Sequence, residues 1–147
     1  MRENLTVIFR DMLELPPAAV AWLLDLWHVS QVFDDIADGD PVDREALDAA
    51  IYASLVDLPS NPFYLANASQ LAPVLALNVL KWKGSDTAER EGRADEKSFV
   101  WRAAYYDTIM LAVLICHGPK AAIQAADKVM SLYGESFADY RKEFPNV

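Results

Sequence analysis

The segment PAAVAWLLDLWHVSQVFDDIADG, residues 17–39, largely decides the fold of this chain. Its apolar residues recur at helical rather than strand spacing. Proline is tolerated in the first turn of a helix, and a glycine just after the last turn favours a left-handed cap. The segment therefore predicts one long helix from Pro17 to Asp38, which ends in acidic residues and closes at Gly39.

Helical spacing also dominates the rest of the chain, and no convincing period-two strand is visible. An amphipathic helix is predicted over Arg2 to Leu15, and a third helix is predicted to begin with Asp40 as its N-cap and Pro41 in its first turn. The further predictions are a helix from about 62 to 82 that Pro73 kinks or divides, a polar loop over 84–95, and helices over 96–117, 120–133 and 135–144. These features predict an all-α fold, a single domain over residues 1–147 built as a bundle of about six or seven helices.

Composition and charge narrow the classes of function. Hydrophobic residues make up 53% of the 147 residues and charged residues 24%, which excludes disorder and fits a compact fold. The formal charge of −9 argues against binding to phosphate backbones and weakens attraction to anionic lipid. The longest purely apolar run, 109–116, is shorter than the roughly 20 residues that span a bilayer. We expect a cytoplasmic protein with no nucleic-acid partner and no membrane partner.

Three carboxylates crowd the end of the long predicted helix. Each helical residue advances by about 100°, so Asp34 and Asp38 share one face and Asp35 can reach the same ion only from the side. Acids at a helix C-terminus oppose the macrodipole, and like charges repel, so folding alone does not require them there. Hard oxygen donors suit Mg²⁺ or Mn²⁺. The cluster predicts a metal site, with Gln31 one turn earlier as a phosphate or substrate contact; the alternative is a solvated helix end.

A fourth carboxylate, Asp107, lies on an otherwise apolar face of the predicted helix over 96–117 and would need a partner there. It is either a metal ligand from a second helix or a structural acid paired with an arginine or a tyrosine. Arg102 and Tyr106 are close to it in sequence and could contact a bound phosphate. Glu96 lies three turns earlier on nearly the same line of that helix.

Residues 33–38, FDDIAD, resemble the first aspartate-rich motif, DDxxD, of class I isoprenoid and terpenoid synthases. In that family the motif lies near the C-terminal end of a helix that lines an apolar cavity, and it binds Mg²⁺ that holds a diphosphate. The resemblance implies that Asp34 and Asp38 are metal ligands and that Asp35 is secondary. Because the chain is roughly half the length of those enzymes, it would be a minimal or degenerate relative of the Mg-dependent diphosphate-processing enzymes.

The sequence is compatible with three functions. It therefore does not decide whether the protein is an enzyme or which residues would be catalytic. The first is an aspartate-rich site for a divalent metal and a phosphorylated small molecule. The second is a noncatalytic helical interaction or assembly module with a protein partner. The apolar content also suggests that this partner could be a second copy, in a homodimer. The third is suggested by a similarity to the MazG-like nucleoside triphosphate pyrophosphatases, in which Asp35 and Asp38 would be the nearest counterpart of the helix-borne acidic motifs.

Overall fold

The computed structural model describes residues 2–144 and is 82% helical. No strand occurs in this part of the chain, so the predicted all-α fold is confirmed. The helices are α1 (Arg2–Val7), α2 (Pro17–Asp38), α3 (Arg44–Tyr52), α4 (Leu58–Ser60), α5 (Pro62–Arg90), α6 (Glu96–Trp101), α7 (Tyr105–His117), α8 (Pro119–Met130) and α9 (Phe137–Glu143), and π-helical turns at Ile8–Met12 and Ala53–Asp57 follow α1 and α3. The chain divides into two compact units, Met1–Ala68 and Ser69–Val147.

Helix α2 has the bounds that the sequence predicts. It begins at Pro17 and ends at Asp38, and Gly39 adopts a left-handed conformation with φ of 78°. The Gly39 N–H donates to the Ile36 carbonyl at 3.2 Å, and the Asp40 N–H donates to the Asp35 carbonyl at 2.9 Å. This pair of hydrogen bonds is the Schellman motif, which satisfies carbonyls that the end of a helix would otherwise leave unpaired.

Helix α3 begins later than predicted. The N-cap is Asp43, whose side chain accepts a hydrogen bond of 2.7 Å from the Ala46 N–H, and the prediction of Asp40 as the cap is wrong. The Asp40 N–H closes α2, and residues 40–42 form the non-helical link between the two helices. The chain therefore needs the extended residues that follow before it can turn into a new helix.

In the first unit, α2 packs on α3 and its π-helical continuation through small side chains. Val29 and Val32 of α2 form a buried cluster with Ala50 and Ala53. Helical spacing places Phe33 and Ile36 close to Val29 and Val32 around α2, which would favour packing on the same face, but they are 47% and 49% exposed. The buried cluster stops at Val32 and leaves the large side chains of the last turn outside it.

Helix α5 runs without interruption past Pro73, so the predicted break at this proline is wrong. The non-helical residue within α5 is Asn67, with φ of −129° and ψ of 19°. Its side-chain amide donates to the Phe63 carbonyl at 2.9 Å, which offers the backbone an alternative to the helical ladder. The helix continues to Arg90 and takes in half of the predicted polar loop.

The predicted helix over 96–117 is two helices in the structure. Asp95 caps α6 as the sequence suggests, in a reciprocal capping box with Ser98. A turn follows Trp101, and the N–H groups of Tyr106 and Asp107 bond three residues back, at 3.2 and 3.0 Å, instead of four. Glu96 and Asp107 therefore lie on separate helices rather than on one continuous line.

Among the helices described, α5 alone has the length and apolar composition to cross a bilayer. Its most apolar stretch is only 11% buried within the structure. The predictions that the protein has no membrane partner and is cytoplasmic remain predictions.

The assignment of the α3 cap can be tested by two alanine substitutions. Asp43→Ala is expected to lower the free energy of unfolding by about 1 kcal/mol, because the Ala46 N–H loses its acceptor. Asp40→Ala is the matched control and should change the value by less than about 0.5 kcal/mol. Urea denaturation followed by circular dichroism measures both, and an equal loss in the two variants would contradict the assignment.

Candidate functional site

The aspartate cluster lies at the C-terminal end of α2, in the first unit. Asp34 and Asp35 are half-buried, whereas Asp38 in the last position of the helix is exposed. Helical geometry separates Asp34 and Asp35 by about 100° around the axis. In residues 2–144, no group of three or more histidine, cysteine, aspartate or glutamate side chains is placed to hold a metal ion.

The predicted site residues fall into both units of the chain. Asp34, Asp35, Asp38 and Gln31 belong to the first unit, and Gln31 is exposed. The remaining candidates, Asp107, Arg102 and Tyr106, belong to the second unit. That all of them form one metal and phosphate site remains a prediction.

Asp107 has a cation of its own. Its Oδ2 accepts a hydrogen bond of 2.9 Å from Nζ of Lys81 on α5, and both side chains are partly exposed. The sequence prediction of a paired acid named arginine or tyrosine as the partner, but the partner is a lysine from an earlier helix. Nearby, the Asn78 amide oxygen can accept from the buried Thr108 hydroxyl while its nitrogen donates to the Ala104 carbonyl at 3.0 Å. Two polar links therefore join α5 to α7.

Arg102 lies in a largely buried cluster of charges. Its Nη1 is 3.2 Å from Oε2 of Glu89 on α5 and 3.8 Å from Oε2 of Glu135, which precedes α9. The Arg102 side chain is 16% exposed and that of Glu89 only 10%. The guanidinium carbon also lies 5.1 Å from the centre of the Tyr140 ring. A charge so far removed from water is costly unless it is paired, and here two carboxylates and an aromatic face share that role.

Tyrosine hydroxyls extend this cluster. The Tyr140 hydroxyl lies 2.6 Å from the Ser98 hydroxyl, and the Tyr133 hydroxyl donates to Oε2 of Glu135 at 3.1 Å. Burial raises the pKa of Tyr140 to about 12, and the carboxylate of Glu89 acts in the same direction. Burial and the Glu135 carboxylate raise the pKa of Tyr133 well above its ordinary value. Both phenols therefore stay neutral near pH 7 and serve as hydrogen-bonding groups.

Tyr106 is the predicted residue that joins Arg102 in this region. Its ring packs against Tyr133, with 5.7 Å between ring centres, and its hydroxyl donates a long hydrogen bond of 3.4 Å to the Leu132 carbonyl. Burial raises the pKa of Tyr106. The structure thus brings Arg102 and Tyr106 to one aromatic and charged cluster, in which Glu89 and Glu135 were not predicted.

Sequence reasoning missed Glu89 and Glu135 because neither has a local signal. Glu89 lies in a polar stretch of α5 that reads as a solvated loop, and Glu135 follows a glycine that ends a helix. The available signal in the sequence was Arg102, a charged residue among apolar and aromatic neighbours that needs an acidic partner. Its partners come from distant parts of the chain, which a local pattern does not reveal.

Comparison of the chain with protein-family models, curated proteins and solved structures finds no match.

The Arg102 cluster can be tested by removing its cation. Arg102→Ala is expected to lower the free energy of unfolding by about 3 kcal/mol, because Glu89 and Glu135 stay in place without this charge. Arg44→Ala removes an exposed pair with Asp48 and should cost less than about 0.5 kcal/mol. Urea denaturation at neutral pH compares the two, and similar losses would show that the cluster does not stabilise the fold.

The metal hypothesis can be tested by isothermal titration with Mg²⁺ and Mn²⁺. Two carboxylates on one helix face supply at most a minority of the six oxygens that Mg²⁺ prefers, so half-saturation is expected above about 1 mM. The comparison is wild type against Asp34→Ala/Asp38→Ala. Tighter, saturable binding that disappears in the double variant would contradict this expectation and establish a metal site.

Proposed function

We propose that this protein is a noncatalytic helical interaction module that binds another protein through exposed apolar helix surfaces. The supporting observation is the number of large apolar side chains that the described residues leave exposed. They are Val7, Met12, Phe33, Ile36, Ile51, Tyr52, Leu55, Val56, Leu65, Leu77, Val79, Leu80, Val100, Trp101, Leu114, Ile123 and Met130. Single exposed apolar residues are normal, whereas groups on one helix face indicate interaction sites.

The clearest group lies on α3 and its π-helical continuation in the first unit. We call it the α3 surface: Ile51, Tyr52, Leu55 and Val56, all exposed, with Leu55 at 74%. The opposite face of the same segment is buried and carries Ala50 and Ala53. Apart from Leu47, which packs against the core, the segment turns small residues inward and presents these four large apolar residues outward.

The energetics of this arrangement favour a partner. Burying one large apolar side chain that was exposed contributes about 1.5–3 kcal/mol. A partner that covers the four side chains of the α3 surface would therefore gain several kcal/mol before the cost of association. Because the chain carries a formal charge of −9, a partner with basic residues around an apolar centre fits it best.

The charges of the second unit support this proposal over a phosphate-processing enzyme. Arg102, a predicted phosphate contact, is already engaged by Glu89 and Glu135, and Lys81 is engaged by Asp107, a predicted metal ligand. A phosphate would have to displace a carboxylate from each. We further propose that the module acts in the cytoplasm, supported by its acidic composition.

The proposal can be tested with a photo-crosslinking amino acid in place of Leu55. We expect it to crosslink a protein of defined mass in an extract of the source cells, and the unlabelled chain should compete. The purified partner should then bind wild type and Leu55→Met similarly, whereas Leu55→Lys should raise the Kd at least about tenfold, because a charge replaces an apolar contact.

A matched crosslinker in place of Lys142 on α9, an exposed residue in the second unit, reports random encounters. The proposal fails if position 55 yields no more product than position 142. It also fails if Leu55→Lys binds the purified partner as tightly as wild type.

A further inference from the structure

An apolar groove runs between α7 and α8 in the second unit. Its volume is about 430 Å³, and it is lined almost entirely by apolar side chains: Met110, Leu111, Leu114, Pro119, Ala122, Ile123 and Ala126. Ile123 is both a wall of this groove and its most exposed large residue, at 77%. A surface that carries a groove and a protruding side chain beside it can match a second copy of itself.

Two opposite charges lie on either side of Ile123 on α8. Lys120 precedes it by three residues and Asp127 follows it by four, so all three lie along one stripe of the helix. Lys120 and Asp127 are both exposed, and neither makes an ion pair within residues 2–144. They are about 10.5 Å apart along the helix axis, which is too far for them to pair within one chain.

We infer that this surface joins two copies of the chain, with their α8 helices antiparallel and a two-fold axis beside Ile123. The axis lies between Ile123 and Gln124, and Lys120 and Asp127 are equally far from that point along α8. The two-fold operation therefore places Lys120 of each copy opposite Asp127 of the other, and two ion pairs form. Ile123 lines the groove, and helical spacing places the exposed Met130 two turns beyond it, so the apolar contact and the charges occupy adjacent sides of one seam.

A second copy fits this surface better than an unrelated ligand does. Lys120 of each copy pairs with Asp127 of the other, so no further residue is needed to balance these charges. The groove of each copy receives the Ile123 side chain of the other. The seam has the composition of an antiparallel helix pair, with apolar residues inside and opposite charges along the edge. The α7–α8 pairs of two copies would then form a four-helix arrangement.

This inference deepens the proposed function by naming a second copy as one partner and α7–α8 as its surface. Its test is sedimentation velocity of the whole chain over a wide range of concentration at about 0.15 M salt, where the repulsion between two acidic copies is screened. Wild type should form a dimer, and Ile123→Glu should raise the dimer Kd at least about 100-fold, because two charges enter the apolar contact. Ala76→Glu, at an exposed position on α5, is the matched control and should stay within about twofold of wild type.

Charge reversal gives a second test that does not depend on a core substitution. Lys120→Glu and Asp127→Lys should each raise the dimer Kd about fivefold, because each creates two repulsive pairs. The double variant restores opposite charges across the axis and should return to within about twofold of wild type. Recovery in the double variant supports the antiparallel seam. A wild type that stays monomeric, or a double variant that is weaker than either single variant, overturns it.

The two proposals fail in different ways. Crosslinking at Leu55 reports the α3 surface in the first unit, and it does not depend on α8. A monomeric wild type that crosslinks a partner at Leu55 would remove the dimer and leave the interaction module in place.

Discussion

The second unit depends on one buried guanidinium. Arg102 has lost most of its water, so the fold must supply compensating charge, and it does so with Glu89 from α5 and Glu135 from the segment before α9. The Tyr140 ring and the Ser98 hydroxyl then bring α9 and α6 to the same place. The interruption between α6 and α7 occurs at Arg102 itself, where the helix gives way to a turn.

A second feature is confined to α3 with its continuation and to α8, where small residues face the neighbouring helix and large apolar residues face outward. Alanine loses no side-chain entropy on packing and lets two helices approach closely, so Ala50 and Ala53 hold α3 near α2. On α8, Ala122 and Ala126 take the corresponding position toward α7, and Ile123 projects beside them. The large apolar residues are then left on the outer faces. A chain built only to fold alone would place these residues the other way round.

The helices were predictable where their signals are local. Pro17 and Gly39 bound α2 correctly because a first-turn proline and a left-handed glycine act on the adjacent backbone. The same reasoning misplaced the α3 cap by three residues, since Asp40 was already engaged in the end of α2, and it placed the break of α5 at Pro73 although Asn67 is the non-helical residue. Residue type identifies the positions where a helix can begin or be interrupted, but it does not decide which of two neighbouring candidates does so.

The candidate site was less predictable because it depends on partners that are distant in sequence. Asp107 could be identified as an acid in need of a cation, but the sequence pointed to arginine or tyrosine and not to Lys81. Arg102 was identified as a cation, but its use to pair Glu89 and Glu135 requires the tertiary fold. The residue type therefore indicates that a buried charge needs a partner of opposite charge, and the tertiary fold determines which residue that partner is.

Net charge connects these observations to assembly. With 22 acidic and 13 basic side chains, two copies repel each other over most orientations, and the repulsion is strongest at low salt. Self-association is least opposed where basic residues offset acidic ones. Helix α8 is such a place, because Lys120 and Lys128 stand against the single acid Asp127. An apolar groove beside a helix with more basic than acidic residues combines the attraction that association needs with a low electrostatic cost, whereas the acidic end of α2 would resist a second copy and suits a basic partner.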